Sequence, residues 1–139
     1  MAMPWRSSLS IPTMRPKAMR ILAALVFAFM WSPAWAAGDE ARGQDVFRKC
    51  AACHTLEAGG RNRVGPRLHG LFGRTAGSVA DYRYTDALKN SGLVWEDGTL
   101  DAYLKDSEAF VPGTKMYGGL TLDQDRADLI AFLRRATAR

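Results

Sequence analysis

An all-α fold is predicted by three features of this 139-residue chain. Apolar residues recur at helical spacing near both ends of the region after residue 37, and no alternating apolar and polar run is long enough for a strand. Between those ends lies Glu57 to Arg83, rich in glycine at Gly59, Gly60, Gly65, Gly70, Gly73 and Gly77. A loop of that length inside a compact domain needs a functional reason, and wrapping the edges of something planar is one. The chain shows no internal repeat, low-complexity tract or second linker, so one small domain is expected over 37–139.

The first 36 residues read as a cleaved export signal rather than as part of that domain. Arg6, Arg15, Lys17 and Arg20 precede an apolar run from Ile21 to Trp31, and no acid accompanies them. Ser32-Pro33 and the small-residue site Ala34-Trp35-Ala36 follow, which is the order of a secretory signal with cleavage after Ala36. The run falls short of the roughly 20 apolar residues that span a membrane, and Pro33 breaks a helix just before the site. No stable membrane insertion is therefore expected. The signal also accounts for the basic balance. It holds four of the 19 Lys and Arg and none of the 14 Asp and Glu, leaving 15 cations against 14 acids, a formal +1. That balance gives no support to nucleic-acid binding.

The first helix of the domain is predicted over Asp39 to Lys49, with acids at its start and Arg48-Lys49 at its end, as the helix dipole favours. Gly43 and Phe47 share one face of it. Directly after comes Cys50-Ala51-Ala52-Cys53-His54. Two thiols separated by two residues, with histidine next, form the attachment pattern of a c-type haem. Each cysteine can add to one porphyrin vinyl group, and the adjacent imidazole then lies under the iron as a proximal ligand. A C-x-x-C pair alone could be a disulfide, a redox pair or half a zinc site. Zinc would need further ligands, and outside this stretch the chain offers only His69. A redox pair would sit in a βαβ pattern that is missing here. Export fits haem attachment, with the thiols consumed by the cofactor rather than by a disulfide.

Shorter helices are predicted over Thr85–Asn90 and Thr99–Lys105. Thr121-Leu122-Asp123-Gln124 has the form of a capping box, opening a last helix whose apolar stripe is Leu129, Ile130 and Leu133, closed by Arg134-Arg135. Phe132 is expected to pack into the notch at Gly43, so that the two terminal helices cross closely.

The ordered set Cys50-Ala-Ala-Cys-His54, Val64-Gly-Pro-Arg-Leu-His-Gly-Leu-Phe-Gly-Arg74, Tyr82-Arg-Tyr-Thr-Asp86, Trp95, Tyr103-Leu104, Val111-Pro-Gly-Thr-Lys-Met116 and Arg126-Ala-Asp-Leu-Ile-Ala131 resembles class I cytochrome c, the small soluble mitochondrial and bacterial type. The likeness runs over nearly all of 37–139. It implies crossing terminal helices, with short helices and glycine-rich loops around one covalent haem c. It also implies a site. Met116 matches the methionine that binds the iron opposite His54. Met1, Met3, Met14, Met19 and Met30 all lie in the signal, so Met116 is the one methionine of the mature chain. Pro66 matches the proline whose carbonyl accepts the imidazole N–H. Arg74, Tyr84 and Trp95 match residues that hold a buried haem propionate. Tyr103 matches the tyrosine beside the methionine sulfur, and Thr114 a further hydroxyl of the haem pocket. His69 falls at a family position but is expected to be a surface histidine without a ligand role.

Departures from the family pattern qualify that transfer. Leu88 stands where many members carry asparagine in a water network beside the haem, so a smaller network is expected. The segment Tyr117-Gly118-Gly119 after Met116 is one residue shorter than usual. Either Tyr117 covers the haem edge in place of the missing aromatic, or the edge is more open. Of the cations that ring that edge in mitochondrial members, Lys49, Lys115 and Arg61 remain, while Glu108 and Ala109 occupy two such places. Docking to acidic partners should be weaker and less salt-sensitive as a result.

Two axial ligands leave no open position for oxygen or peroxide, so the resemblance implies a carrier rather than an enzyme. The expected protein is a soluble monomeric periplasmic monohaem carrier of a respiratory chain. It would pass one electron from a membrane or periplasmic donor, such as a cytochrome bc complex, to an oxidase, a photosynthetic reaction centre or a reductase, through transient contacts. Two other functions compete: a dedicated electron acceptor of one periplasmic dehydrogenase, and a haem peroxidase or gas sensor with a labile sixth site.

Overall fold

The computed structural model describes residues 38–139; the segment read as an export signal lies outside the described residues. Five helices occur in the described part: α1 (Glu40–Phe47), α2 (Asp86–Lys89), α3 (Asp97–Lys105), α4 (Ser107–Phe110) and α5 (Asp123–Ala136). Among the described residues there is no strand, and extended pairing is limited to one isolated bridge between Thr75 and Val94. The all-α prediction agrees with this architecture. No helix among these residues is long and apolar enough to cross a membrane.

The terminal helices α1 and α5 cross at Gly43. A Cβ there would lie 2.0 Å from the Asp128 carbonyl oxygen and 2.7 Å from the Phe132 Cβ, so only hydrogen fits. Phe132 meets this notch through its Cβ, while its ring packs on Phe47 at 5.6 Å between centroids. Buried Asp128 ties the same corner, accepting from the Asp39 N–H at 2.7 Å and from the Gln124 side chain at 2.7 Å. Asp39 in turn caps α1, accepting from the Ala41 and Arg42 N–H groups; this satisfies donors that a helix start leaves unpaired.

Three details differ from the sequence reading. The capping box at Thr121–Gln124 does not form: Leu122 is the N-cap of α5 and makes no side-chain cap bond. Gln124 turns instead to Asp128, and the Thr121 carbonyl is taken by Arg126. Long-range partners have outcompeted the local motif. A reciprocal contact of this kind exists two helices earlier, where Thr99 Oγ1 accepts from the Glu96 N–H at 2.9 Å. That places Thr99 inside α3, which starts at Asp97 rather than at Thr99. Finally, α4 was not foreseen; its four residues are capped by Asp106, whose carboxylate accepts from the Ala109 N–H at 3.0 Å.

The core runs from the α1–α5 crossing through Leu71, Trp95, Leu100, Tyr103 and Leu104 to Leu129 and Leu133. Its middle is not closed by side chains. The long glycine-bearing loop from Glu57 and the segment after α4 form the two sides of a cavity there, and the helices supply its back wall.

Candidate haem site

All ten residues singled out from the sequence line one cavity of about 390 Å³: Cys50, Cys53, His54, Pro66, Arg74, Tyr84, Trp95, Tyr103, Thr114 and Met116. Much of the rest of the lining is apolar, including Phe47, Leu68, Leu71, Leu100, Leu129 and Leu133. A space of this size with a few convergent polar groups suits an organic cofactor.

The cysteine side follows directly from α1. The chain leaves that helix in tight turns, with the Cys53 and His54 N–H groups both donating to the Cys50 carbonyl at 3.0 Å. Both thiols are free and half-buried. Burial pushes the Cys50 thiol up, neighbouring Cys53 adds to the rise, and Lys49 opposes it. The His54 Nδ1–H donates to the Pro66 carbonyl at 2.7 Å. Burial lowers the imidazole's affinity for a proton, and the Pro66 bond acts the other way. The outcome is a neutral ring with its tautomer set by Pro66 and the Nε2 lone pair available, which is the form a metal requires. Gly65 lies flat against this ring: a Cβ there would be 2.3 Å from His54 Cε1 and 2.7 Å from Nε2. Gly65 N–H also donates to the Cys53 carbonyl at 2.9 Å, tying the loop to the motif.

Arg74 reaches the cavity from the loop. Its guanidinium donates to the His69 carbonyl at 2.9 Å and to the Arg67 carbonyl at 3.2 Å. Half-buried, Arg74 has its ionisation pulled down by burial, with Tyr84 acting in the opposite direction. Tyr84 is pushed up by burial and remains a phenol donor at neutral pH. His69 is half-buried rather than a surface residue, and its main-chain carbonyl serves Arg74. On the opposite wall, Trp95 meets Tyr103 edge to face at 5.1 Å. Tyr103 and Thr114 share a buried hydroxyl–hydroxyl bond of 2.6 Å; burial pushes the tyrosine's pKa up and keeps it a neutral phenol. Leu88 is a buried apolar part of the wall. Tyr117 borders the cavity yet is 73% exposed, so it stands at the rim as an open flap.

The donor set tests whether a haem fits. Two free thiols, a neutral imidazole with one nitrogen uncommitted and a thioether all face one largely apolar space, and a half-buried guanidinium and a phenol stand ready for an anionic edge. These residues fit an amphipathic porphyrin.

Three residues with a part in this arrangement escaped the sequence reading. Gly65 was one glycine among several, and its role appears only when the imidazole is seen against it. Ser107 and Arg126 carry the segment after Met116: the Ser107 hydroxyl donates to the Met116 carbonyl, and Arg126 donates to the Leu120 carbonyl at 2.6 Å and the Thr121 carbonyl at 3.2 Å. A serine and an arginine within helices carry no local signal for such contacts.

Known proteins point to the same family. The family model described as Cytochrome c matches residues 40–137. Cytochrome c of Arabidopsis thaliana is 54% identical over 102 residues, covering 72% of this chain and 91% of the relative. Cytochrome c of Cochliobolus lunatus is 53% identical over 102 residues, 72% and 94% of the two chains. Cytochrome c2 of Rhodomicrobium vannielii is 48% identical over 119 residues, 84% and 94%. The fold and the site define a single-haem protein with covalent attachment. The chain belongs to the cytochrome c family, binds one covalent haem c, and is a monohaem electron carrier.

Proposed function

We propose that this chain is a periplasmic carrier in which Cys50 and Cys53 hold the haem by thioethers and His54 Nε2 and Met116 Sδ are its axial ligands. The observation carrying this reading is the convergence of both thiols, the Pro66-oriented imidazole and the sole methionine after residue 36 on one cavity. The bound haem supplies a one-electron iron(III)/iron(II) couple, and a thioether opposite imidazole favours the reduced metal and a higher potential. The chain's own part is to keep both ligands in place in both oxidation states. Pro66 holds the imidazole's N–H, and the apolar walls exclude water from the metal. Arg74, Tyr84 and Trp95 present donors to a propionate, offsetting the cost of burying it.

Cleavage after Ala36 would release the domain 37–139 outside the cytoplasm. The match to the Rhodomicrobium cytochrome c2 is longer than the stretch from Ala37 to Arg139, so the likeness extends to residues before Ala37. In the periplasm the carrier would take one electron from a donor such as a cytochrome bc complex and deliver it to an oxidase, a reaction centre or a reductase. Contacts would be brief and small, as redox encounters are, and the protein would act as a monomer. N-terminal sequencing of the exported protein should begin at Ala37.

Met116→Ala tests the ligand assignment. The variant should bind carbon monoxide when reduced and show a lower potential, whereas the natural protein should not take up carbon monoxide at neutral pH. Ready binding by the natural protein would transfer support to the peroxidase or sensor reading. An unchanged potential in the variant would remove Met116 from the iron.

A further inference from the structure

We infer that Ser107 is the positioning residue of Met116: its hydroxyl pins the methionine backbone and thereby sets how firmly the thioether stays on the iron. The inference rests on the assignment of Met116 as an axial ligand. Methionine has three rotatable side-chain bonds and no branching, so where its sulfur points depends on how well its own backbone is held. Around Met116 that hold is sparse. Upstream, the Met116 N–H reaches Thr114 Oγ1 only at 3.5 Å, close to the limit of a hydrogen bond. Downstream, Gly118 sits at φ +110°, a conformation open chiefly to glycine, and Gly119 follows. The next firm tie is the Leu120 N–H to the Leu104 carbonyl at 2.8 Å. Between these points the contact that fixes the ligand's own residue is the Ser107 hydroxyl on the Met116 carbonyl, with the Gly118 carbonyl also within 3.4 Å of the same oxygen.

Ser107 is itself buried and lies on a capped helix start. It is 1% exposed and opens α4, whose start is fixed by the Asp106 cap and by the Asp106 N–H on the Ala102 carbonyl at 3.3 Å. The clamp thus transmits the rigidity of α3 and α4 to a glycine-flanked segment that has little of its own. Replacing the hydroxyl with hydrogen leaves the part-buried Met116 carbonyl without its donor. A lost bond of that kind costs on the order of 1.4 kcal/mol, which corresponds to roughly tenfold in an equilibrium between bound and detached sulfur.

Competition with imidazole at fixed neutral pH reads that equilibrium in the oxidised holoprotein, because an external ligand enters only when the thioether leaves. Ser107→Ala should take up imidazole about tenfold more tightly than the natural protein, and its potential should fall. Ser107→Thr, which keeps the hydroxyl, should restore most of the natural affinity. Gly43→Ala is the stability control, since it strains the distant helix crossing and leaves the Met116 segment alone; it should lower the melting temperature without changing imidazole affinity. Equal affinities in Ser107→Ala and the natural protein would overturn the inference. So would an affinity that merely tracks melting temperature across the Ser107→Ala and Gly43→Ala proteins. Met116→Ala separates this failure from failure of the underlying assignment: if it binds imidazole no better than the natural protein, Met116 is not the ligand, and the fault lies there rather than with Ser107.

Discussion

On the cysteine side of the cavity, every contact that orients the imidazole comes from one short stretch, Cys50 to Pro66. On the methionine side the contacts come from three helices: Tyr103 and Leu104 of α3, Ser107 of α4 and Arg126 of α5. The first wall is a local structure that the motif and its following loop can assemble together. The second exists only after distant parts of the chain have docked. Under the proposed ligation by His54 and Met116, local fluctuation should release the thioether before the imidazole, because a segment held by few long-range bonds opens at lower cost than a tightly turned one.

The largest effect should come from removing the covalent part of the rigid wall. With Cys50→Ser and Cys53→Ser combined, no haem should survive acidic organic extraction, and a stained denaturing gel should show no haem on the polypeptide. Next is Gly65→Ala, whose Cβ would collide with the imidazole ring. Overpacking there should cost about 3 kcal/mol in denaturant unfolding of the holoprotein. It should also disturb the imidazole signals in NMR, whereas the thioether signals shift less.

On the other wall, Arg126→Ala should cost about 2 kcal/mol, from the lost bonds to Leu120 and Thr121 and the exposed Asp101. Hydrogen exchange should then accelerate at Leu120 ahead of His54; uniform acceleration at both would erase the contrast between the walls. The smallest effect concerns pH. Asp123 is held below its ordinary 3.8 by the Arg126 guanidinium. A depressed carboxylate stabilises the fold fully above the unfolded value and loses that contribution as pH falls through the folded one. Asp123 is well exposed, so solvent screens the pair. Asp123→Asn should lower the denaturant midpoint slightly at neutral pH and make it less sensitive to acid, so that the two proteins converge as pH falls.

Much of the rigid wall was legible because its information is contiguous. Five adjacent residues announce the haem, and the Pro66 bond lies within the same stretch of chain. The crossing at Gly43 was readable for a similar reason, since a glycine on the buried face of one helix asks for close approach by another. Other features misled or stayed silent. The Thr121–Gln124 pattern looked like a cap, but Arg126 and Asp128 claimed its groups. Ser107 carried no signal in the sequence, yet it is among the most buried side chains of the described residues. His69 was read as a surface histidine and instead lends its carbonyl to Arg74 from a half-buried position.

By itself the sequence determined the helical class, the Cys-x-x-Cys-His pattern at Cys50, Cys53 and His54 that calls for a covalent haem, and the family that pattern belongs to. Those depend on residue identity at fixed short spacings, which chain connectivity preserves before anything folds. Tertiary structure alone decided which hydroxyl meets the Met116 carbonyl, which glycine must yield to the imidazole, and which helix start goes uncapped. Such contacts join groups that nothing in the local chain brings together, and burial then turns a polar neighbour into an obligatory partner.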